Sequence, residues 1–144
     1  MQQTDFDLSG FTPYLLNQAA EAQSVDFSSI YKNRYGMLRT EWRVLFHLGR
    51  YGPMSAKEIS TLANIHKTKI SRAVRALGEK QFLARETSGT DRRVEHLVLR
   101  PPGHEAFDYL VEAAAEHERA LSRKLGKQNV KTLKLLLKAL ASRQ

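Results

Sequence analysis

The stretch SAKEISTLANIHKTKISRAVRALGEK, residues 55–80, decides how the rest of the chain is read. Ser55 followed three residues later by Glu58 is a capping box, in which each side chain satisfies a backbone N–H that the start of a helix leaves unpaired. The spacing predicts a short helix that buries Ile59 and Leu62, and Asn64 suits the tight turn after it. A second helix is predicted from Lys67 to Lys80, with Ile70, Val74 and Leu77 on one face at about 100° per residue. Its opposite face carries Thr68, Arg72 and Arg75, flanked by Lys69 and Ser71.

Downstream, Phe82–Thr87 and Val94–Leu99 read as two strands joined by a loop containing Gly89, and Arg100-Pro101-Pro102-Gly103 closes the unit. The loop Gly89-Thr90-Asp91-Arg92-Arg93 sets two arginines at the hairpin tip, where Asp91 can hold one in a charge-assisted pair and shape the turn. Upstream, a helix over Thr40–Arg50 is stopped by Tyr51-Gly52-Pro53. The first helix is expected to be capped by Thr12 with Pro13 in its first turn, and to place Leu8, Phe11, Leu15, Ala19 and Ala22 at helical spacing. A helical pattern resumes from Asp26 to Gly36. After the hairpin comes a long Ala- and Glu-rich helix to Gly126, then a last one from Asn129. The fold class is mostly α with a small β-hairpin.

Two short helices joined by a tight turn and followed by a hairpin make a winged helix-turn-helix, whose second helix fits the DNA major groove. Hydroxyls, lysines and arginines on its exposed face are the groups that hydrogen-bond guanine edges and phosphates. Arginines at the hairpin tip suit a narrow minor groove, where negative potential concentrates. The candidate DNA-contacting residues are Ser55, Lys67, Thr68, Lys69, Ser71, Arg72, Arg75, Arg92 and Arg93, with Asp91 shaping the wing.

The charge agrees and is unevenly placed. The 144 residues carry a formal charge of +8 with a pI near 9.9, which suits a polyanionic partner. Asp5, Asp7, Glu21 and Asp26 leave residues 1–30 at −4, with no Lys or Arg. Lys67, Lys69, Arg72, Arg75 and Lys80 against Glu79 make 64–80 +4, and eight cations without an acid make the chain from Arg119 onward +8. The last helix sets Val130, Leu133, Leu136, Leu137 and Leu140 along one stripe, with Lys131, Lys134 and Lys138 opposite. Such a helix can lie on a membrane surface, but it has no aromatic anchor, and the acidic first helix is the better counterpart. Dimerisation is the expected use.

Several classes are set aside. No cysteine is present, so disulfides, thiolate zinc sites and thiol redox sensing are excluded. His47, His66, His96, His104 and His117 show no metal-ligand spacing, and no nucleophile elbow or phosphate loop occurs, so neither a metal, a cofactor nor catalysis is expected. No apolar run is long enough to span a bilayer and the start of the chain is acidic, so a cytoplasmic location is expected.

Five segments together resemble the MarR family of regulators. They are Glu41-Trp42-Arg43-Val44-Leu45, Gly52-Pro53-Met54-Ser55, Lys67-Thr68-Lys69-Ile70-Ser71-Arg72, Asp91-Arg92-Arg93 and Leu99-Arg100-Pro101-Pro102-Gly103. The chain departs from the family at Leu38 and Arg100, where a hydroxyl residue is frequent, and at Gln81, where glycine is. The resemblance implies one MarR-like domain over 1–144, with a winged unit at 37–100 and dimerisation helices at 8–36 and 103–142. It implies a homodimeric repressor on a palindromic, inverted-repeat operator in double-stranded DNA, released by a small aromatic or phenolic ligand. The family's pocket lies between the dimerisation helices and the winged unit. There Tyr31, Tyr35, Trp42 and Phe46 are candidate walls, with Arg34, Arg39 or Arg43 as carboxylate partner. Each of these aromatics also reads as core. Alternatives are an effector-independent regulator that displaces other DNA proteins, or a winged protein-interaction module. The polar face of the second helix argues against the last.

Overall fold

The computed structural model describes residues 5–87 and 94–142. A 3-10 turn at Leu8–Gly10 leads into α1 (Thr12–Tyr35), followed by α2 (Arg39–Tyr51), α3 (Ala56–Ala63), α4 (Lys67–Glu79), β1 (Leu83–Thr87), β2 (Glu95–Leu99), α5 (Pro101–Leu125) and α6 (Lys127–Ala141). Among the described residues no helix is long and apolar enough to cross a membrane.

The first 36 residues differ from their reading. Phe11, not Thr12, occupies the cap position, without a side-chain hydrogen bond, and α1 runs unbroken to Tyr35. Nothing between Tyr14 and Tyr35 breaks a helix, and the polar residues near its middle bond back into it. The hydroxyls of Ser28 and Ser29 donate to the carbonyls of Val25 and Asp26 at 3.0 and 2.7 Å. Gly36, at φ 64°, ends the helix in the left-handed conformation that glycine adopts without strain.

The middle of the chain folds around one core. On α2 the buried side chains are Glu41, Val44, Leu45 and Leu48, a single stripe at i, i+3, i+4 and i+7. On α4 they are Ile70, Ala73, Val74 and Leu77. Tyr31, Met37, Met54, Ile59, Leu83, Leu97, Ala106 and Leu110 close the cluster. Leu62 is not part of it, being 56% exposed. The buried side of α3 runs through Ile59 and Ala63, and Leu62 points about 80° away from its centre.

β1 and β2 pair antiparallel in the register Leu83↔Leu99 to Thr87↔Glu95. Phe82 and Val94 fall outside these strands. The Phe82 N–H donates to Leu77 O at 2.9 Å, so the turn takes its donor, while its carbonyl accepts from Arg100 N at 2.9 Å in line with the strand register. Met54 forms a bridge to Leu97, with N–H···O bonds in both directions at 3.2 and 2.7 Å, and so ties the base of the hairpin to the entry of α3. α6 starts two residues earlier than the pattern suggested.

All three of the expected departures have structural counterparts. Leu38 and Arg100 cap α2 and α5 with backbone alone. Gln81 adopts φ 66°, the region glycine occupies without cost, and its side chain accepts a hydrogen bond from Arg100.

Gly103 joins the two halves. A Cβ there would overlap the Phe82 carbonyl oxygen, with the carbonyl carbon at 3.0 Å and Leu99 Cδ2 at 3.3 Å. The obstruction is backbone already engaged by Arg100, so it cannot swing aside as a side-chain tip would. We expect Gly103→Ala to lower unfolding free energy by about 3 kcal/mol, the upper part of the range for overpacking, read from urea denaturation at fixed protein concentration. An unchanged midpoint would show that the turn yields.

Candidate nucleic-acid interface

Lys67, Thr68, Lys69, Ser71, Arg72 and Arg75 are all exposed on α4, while the other side of the same helix is buried. The structure therefore brings six of the nine expected DNA-contacting residues onto one surface. Among the described residues no carboxylate pairs with Lys67, Lys69 or Arg72. Arg75 meets Glu79 one turn on at 3.4 Å, with both side chains more than two-thirds exposed. Such a pair is worth at most about 1 kcal/mol, and a phosphate displaces it readily. Lys69 and Arg72 also flank an open groove of about 390 Å³ between α4 and the start of α2.

Ser55 sits apart from this surface and is half-buried. Its hydroxyl oxygen accepts from Glu58 N at 3.1 Å, and its own N–H donates to Glu58 Oε1 at 3.2 Å, the capping box expected. Asp91, Arg92 and Arg93 lie outside the described residues. At the described end of the hairpin, Arg85 and Glu95 form a cross-strand pair at 3.0 Å.

Two residues that hold α4 in place went unrecognised in the sequence. Glu41 is 5% exposed and receives Lys80 Nζ at 3.4 Å, so a buried carboxylate ties the first turn of α2 to the end of α4. Removing one partner of such a pair leaves a buried charge uncompensated. The signal was present, since Glu41 stands on the apolar stripe of α2. His66 caps α4, its Nδ1 accepting from Thr68 N at 3.2 Å. Its place just before the helix marked it, but histidine is an uncommon cap.

The aromatic set expected around a ligand divides. Tyr31 lines an open groove of about 440 Å³ between α1 and the start of α2, with Ser24, Ser28, Lys32, Leu38 and Arg39. Burial raises the pKa of its phenol, opposed by the charge of Arg39, so it presents an O–H. Arg39 donates to Ser24 Oγ at 2.9 Å on the same wall. Trp42 stacks behind Tyr31, with ring planes 15° apart and centroids at 6.2 Å, and Phe46 continues from Trp42 at 5.6 Å towards Phe107. Neither Trp42 nor Phe46 lines that groove. Arg34 and Tyr35 form another cluster. Arg34 Nε donates to the Tyr35 hydroxyl at 3.1 Å, and its guanidinium lies 3.8 Å from the Tyr109 ring centre. The Tyr35 bond is the main cause that raises the pKa of Arg34. Arg43 is held by Ala63 O at 3.0 Å, at the end of α3. Of the three arginines considered as carboxylate partners, Arg39 alone is in the groove beside Tyr31.

The same architecture is found in known proteins. A sequence profile of the MarR family matches residues 35–94. A putative transcriptional regulatory protein for the hcr operon of Thauera aromatica is 29% identical over 106 residues, which are 74% of this chain and 60% of that protein. Alignments with three curated relatives cover 53, 60 and 47% of their lengths, so the chain spans about half the length of the curated relatives it matches. A MarR/EmrR family transcriptional regulator from Acinetobacter sp. ADP1 superposes with a TM-score of 0.80 at 25% identity, covering 94% of this chain and 95% of that one. The transcriptional repressor CouR, solved bound to a 23-mer DNA duplex, shares the fold with a TM-score of 0.85 at 24% identity, over 99% of this chain and all of that one. With the turn between α3 and α4, the hairpin behind them and the matched segment all in one unit, the chain is similar to MarR-family transcriptional regulators over residues 35–94 and shares their fold.

Proposed function

We propose that the protein binds double-stranded DNA as a homodimer, reads an inverted-repeat operator and represses transcription from it. The observation that carries this reading is the exposed face of α4, where Lys67, Thr68, Lys69, Ser71, Arg72 and Arg75 stand together and the opposite face is buried. Lysines and hydroxyls there suit phosphates, and Arg72, in the middle of the face, suits the N7 and O6 acceptors of guanine. Arg92 and Arg93 are assigned to the adjacent minor groove, with Asp91 shaping the tip that carries them. Ser55 contacts a phosphate through its hydroxyl hydrogen, which the capping bond leaves available. A DNA-bound CouR with the same fold supports this docking and the repressor role. A cytoplasmic location accompanies it.

Both ends of the chain support the dimer. Leu8, Phe11 and Leu15 are 45–51% exposed and Leu133, Leu136, Leu137 and Leu140 are 37–62% exposed, an apolar surface that a monomer does not normally present to water. The acidic start of the chain and the basic α6 are complementary in charge, but exposed ion pairs add only up to about 1 kcal/mol each, so the apolar stripes supply most of the association. The winged unit at 37–100 thus hangs from helices at 8–36 and 103–142, within one domain.

For the effector we favour an aromatic or phenolic acid in the groove beside Tyr31. Arg39 and Lys32 offer partners for a carboxylate, Ser24 and Ser28 offer hydroxyls, and Tyr31 offers a ring face backed by Trp42. Tyr35, Arg34 and Phe46 act from behind, by fixing the helices that form the walls. The ligand must bind more tightly to a dimer whose recognition helices no longer match successive grooves.

Three outcomes are expected. Arg72→Ala costs about 1–3 kcal/mol on a duplex selected from a random pool and less on its scrambled version, in parallel titrations. Equal losses on both would make Arg72 a phosphate contact only. Removing residues 127–144 gives monomers or insoluble protein, and a truncated chain that still sediments as a stable dimer would overturn the role given to α6. In calorimetry, benzoate- and hydroxybenzoate-type acids bind the wild type, lower its affinity for the selected duplex and bind Arg39→Gln about tenfold more weakly, the loss of one charged hydrogen bond. If none of these acids binds, the effector-independent regulator is the better reading.

A further inference from the structure

The first turn of α4 is organised by one residue. The His66 carbonyl accepts from the N–H groups of Lys69 and Ile70 at 3.0 and 3.2 Å, and its ring accepts from that of Thr68 at 3.2 Å. Two of the N–H groups that a helix start leaves orphaned, those of Thr68 and Lys69, therefore end on His66, and that of Ile70 makes the first regular helical bond to it. The ring can accept at Nδ1 only when that nitrogen carries no proton, so the bond selects the neutral imidazole with its hydrogen on Nε2. The side chain is exposed.

We propose that His66 is a positioning residue for DNA recognition that works in its neutral form alone. It holds the turn that presents Lys67, Thr68 and Lys69, and a second proton on its ring releases the Thr68 N–H and loosens that turn. The proposal rests on the reading of α4 as the recognition helix.

Two effects act in the same direction when the ring is charged. The cap bond is lost, and a cation is left at the positive end of the helix dipole. Along the chain its charged neighbours are Lys67 and Lys69. The cationic and titratable residues of the elements packed on α4 are Arg39, Arg43, His47 and Arg50 on α2, Lys57 on α3 and Arg85 on β1, with Arg43 held by Ala63 O. The acids of these three elements are Glu41, engaged by Lys80, Glu58, engaged by Ser55, and Glu86 on β1, and among the described residues none pairs with His66. The cap bond is therefore open to the neutral ring and closed to the charged one. Opposing this is the attraction of an added positive charge to DNA phosphates, which every protonated histidine near DNA would share.

The test compares the full chain with His66→Asn, a cap that does not titrate, and His66→Ala, which has none. Affinity for a duplex selected from a random pool by the wild type is measured at constant ionic strength from about pH 8 to about pH 5.5, which brackets the imidazole range. The wild type should lose about fivefold relative to His66→Asn across that interval, the effect of one ordinary N-cap, and His66→Ala should already be weak at the upper end. In NMR, the Thr68 amide resonance should follow the ring titration in the wild type and stay still in His66→Asn. Parallel pH profiles for the wild type and His66→Asn would overturn the proposal. So would a wild type that tightens relative to His66→Asn at low pH, since the ring would then be a phosphate contact. If no variant binds the duplex at any pH, the DNA reading itself fails, and a Thr68 resonance that ignores the ring would separately overturn the cap.

Discussion

Ile70, Val74 and Leu77 can leave water only by turning Thr68, Arg72 and Arg75 into it. Burying an aliphatic side chain of this size is worth about 1.5–3 kcal/mol, and the three lie on one narrow stripe of α4. The rotation of the helix about its axis is therefore set by the core, and with it the direction of every polar group on the far side. The direction of this polar face about the helix axis therefore follows from the core. Its cations lie outward because they are excluded from the interior, where an unpaired charge is costly.

Rotation alone does not locate the helix. Its end is tied to α2 by Lys80 and the buried Glu41, and its start is held by His66. The hairpin behind it is anchored on two sides, by the Met54–Leu97 bridge and by the close approach of Gly103 to the Phe82 carbonyl. That approach also leads directly into α5, which packs on both α1 and α6. Movement of the long helices thus has a rigid path to the hairpin, through a glycine and two backbone hydrogen bonds rather than through adaptable side chains.

The two halves of the chain differ in how completely they bury their apolar surface. The winged unit, with Tyr31 of α1 and Ala106 and Leu110 of α5 completing its core, buries Met37, Leu45, Ile59, Ile70, Leu77 and Leu97 to no more than 1% exposure. The outer helices do not, and α6 buries Val130 alone among its described side chains. An acidic apolar start and a basic apolar end, each unfinished in a single copy, fit association of two copies better than either fits solvent.

How far the sequence could be read depended on the range of the interactions involved. The capping box, the left-handed Asn64, the stripe of α4 and the antiparallel hairpin all follow from contacts within a few residues, and periodicity and turn chemistry were enough to place them. The family resemblance rested on the same local motifs. Even local reading failed in α1, where the apolar spacing ended at Ala22 and a helical pattern resumed from Asp26, yet the helix runs through, with the hydroxyls of Ser28 and Ser29 bonded back into it. Other features were decided by tertiary structure. Leu62 has the spacing of a core residue, yet no element covers its side of α3. Glu41 finds Lys80 thirty-nine positions away. Tyr31, Trp42, Phe46 and Tyr35 recur at helical spacings, but α2 and α5 separate them into a groove wall, a stack behind it and a cluster around Arg34 and Tyr109. Spacing along a helix determines which side chains share a face. Which faces then meet is set by how the whole set of elements excludes water together, and that is a property of the folded chain.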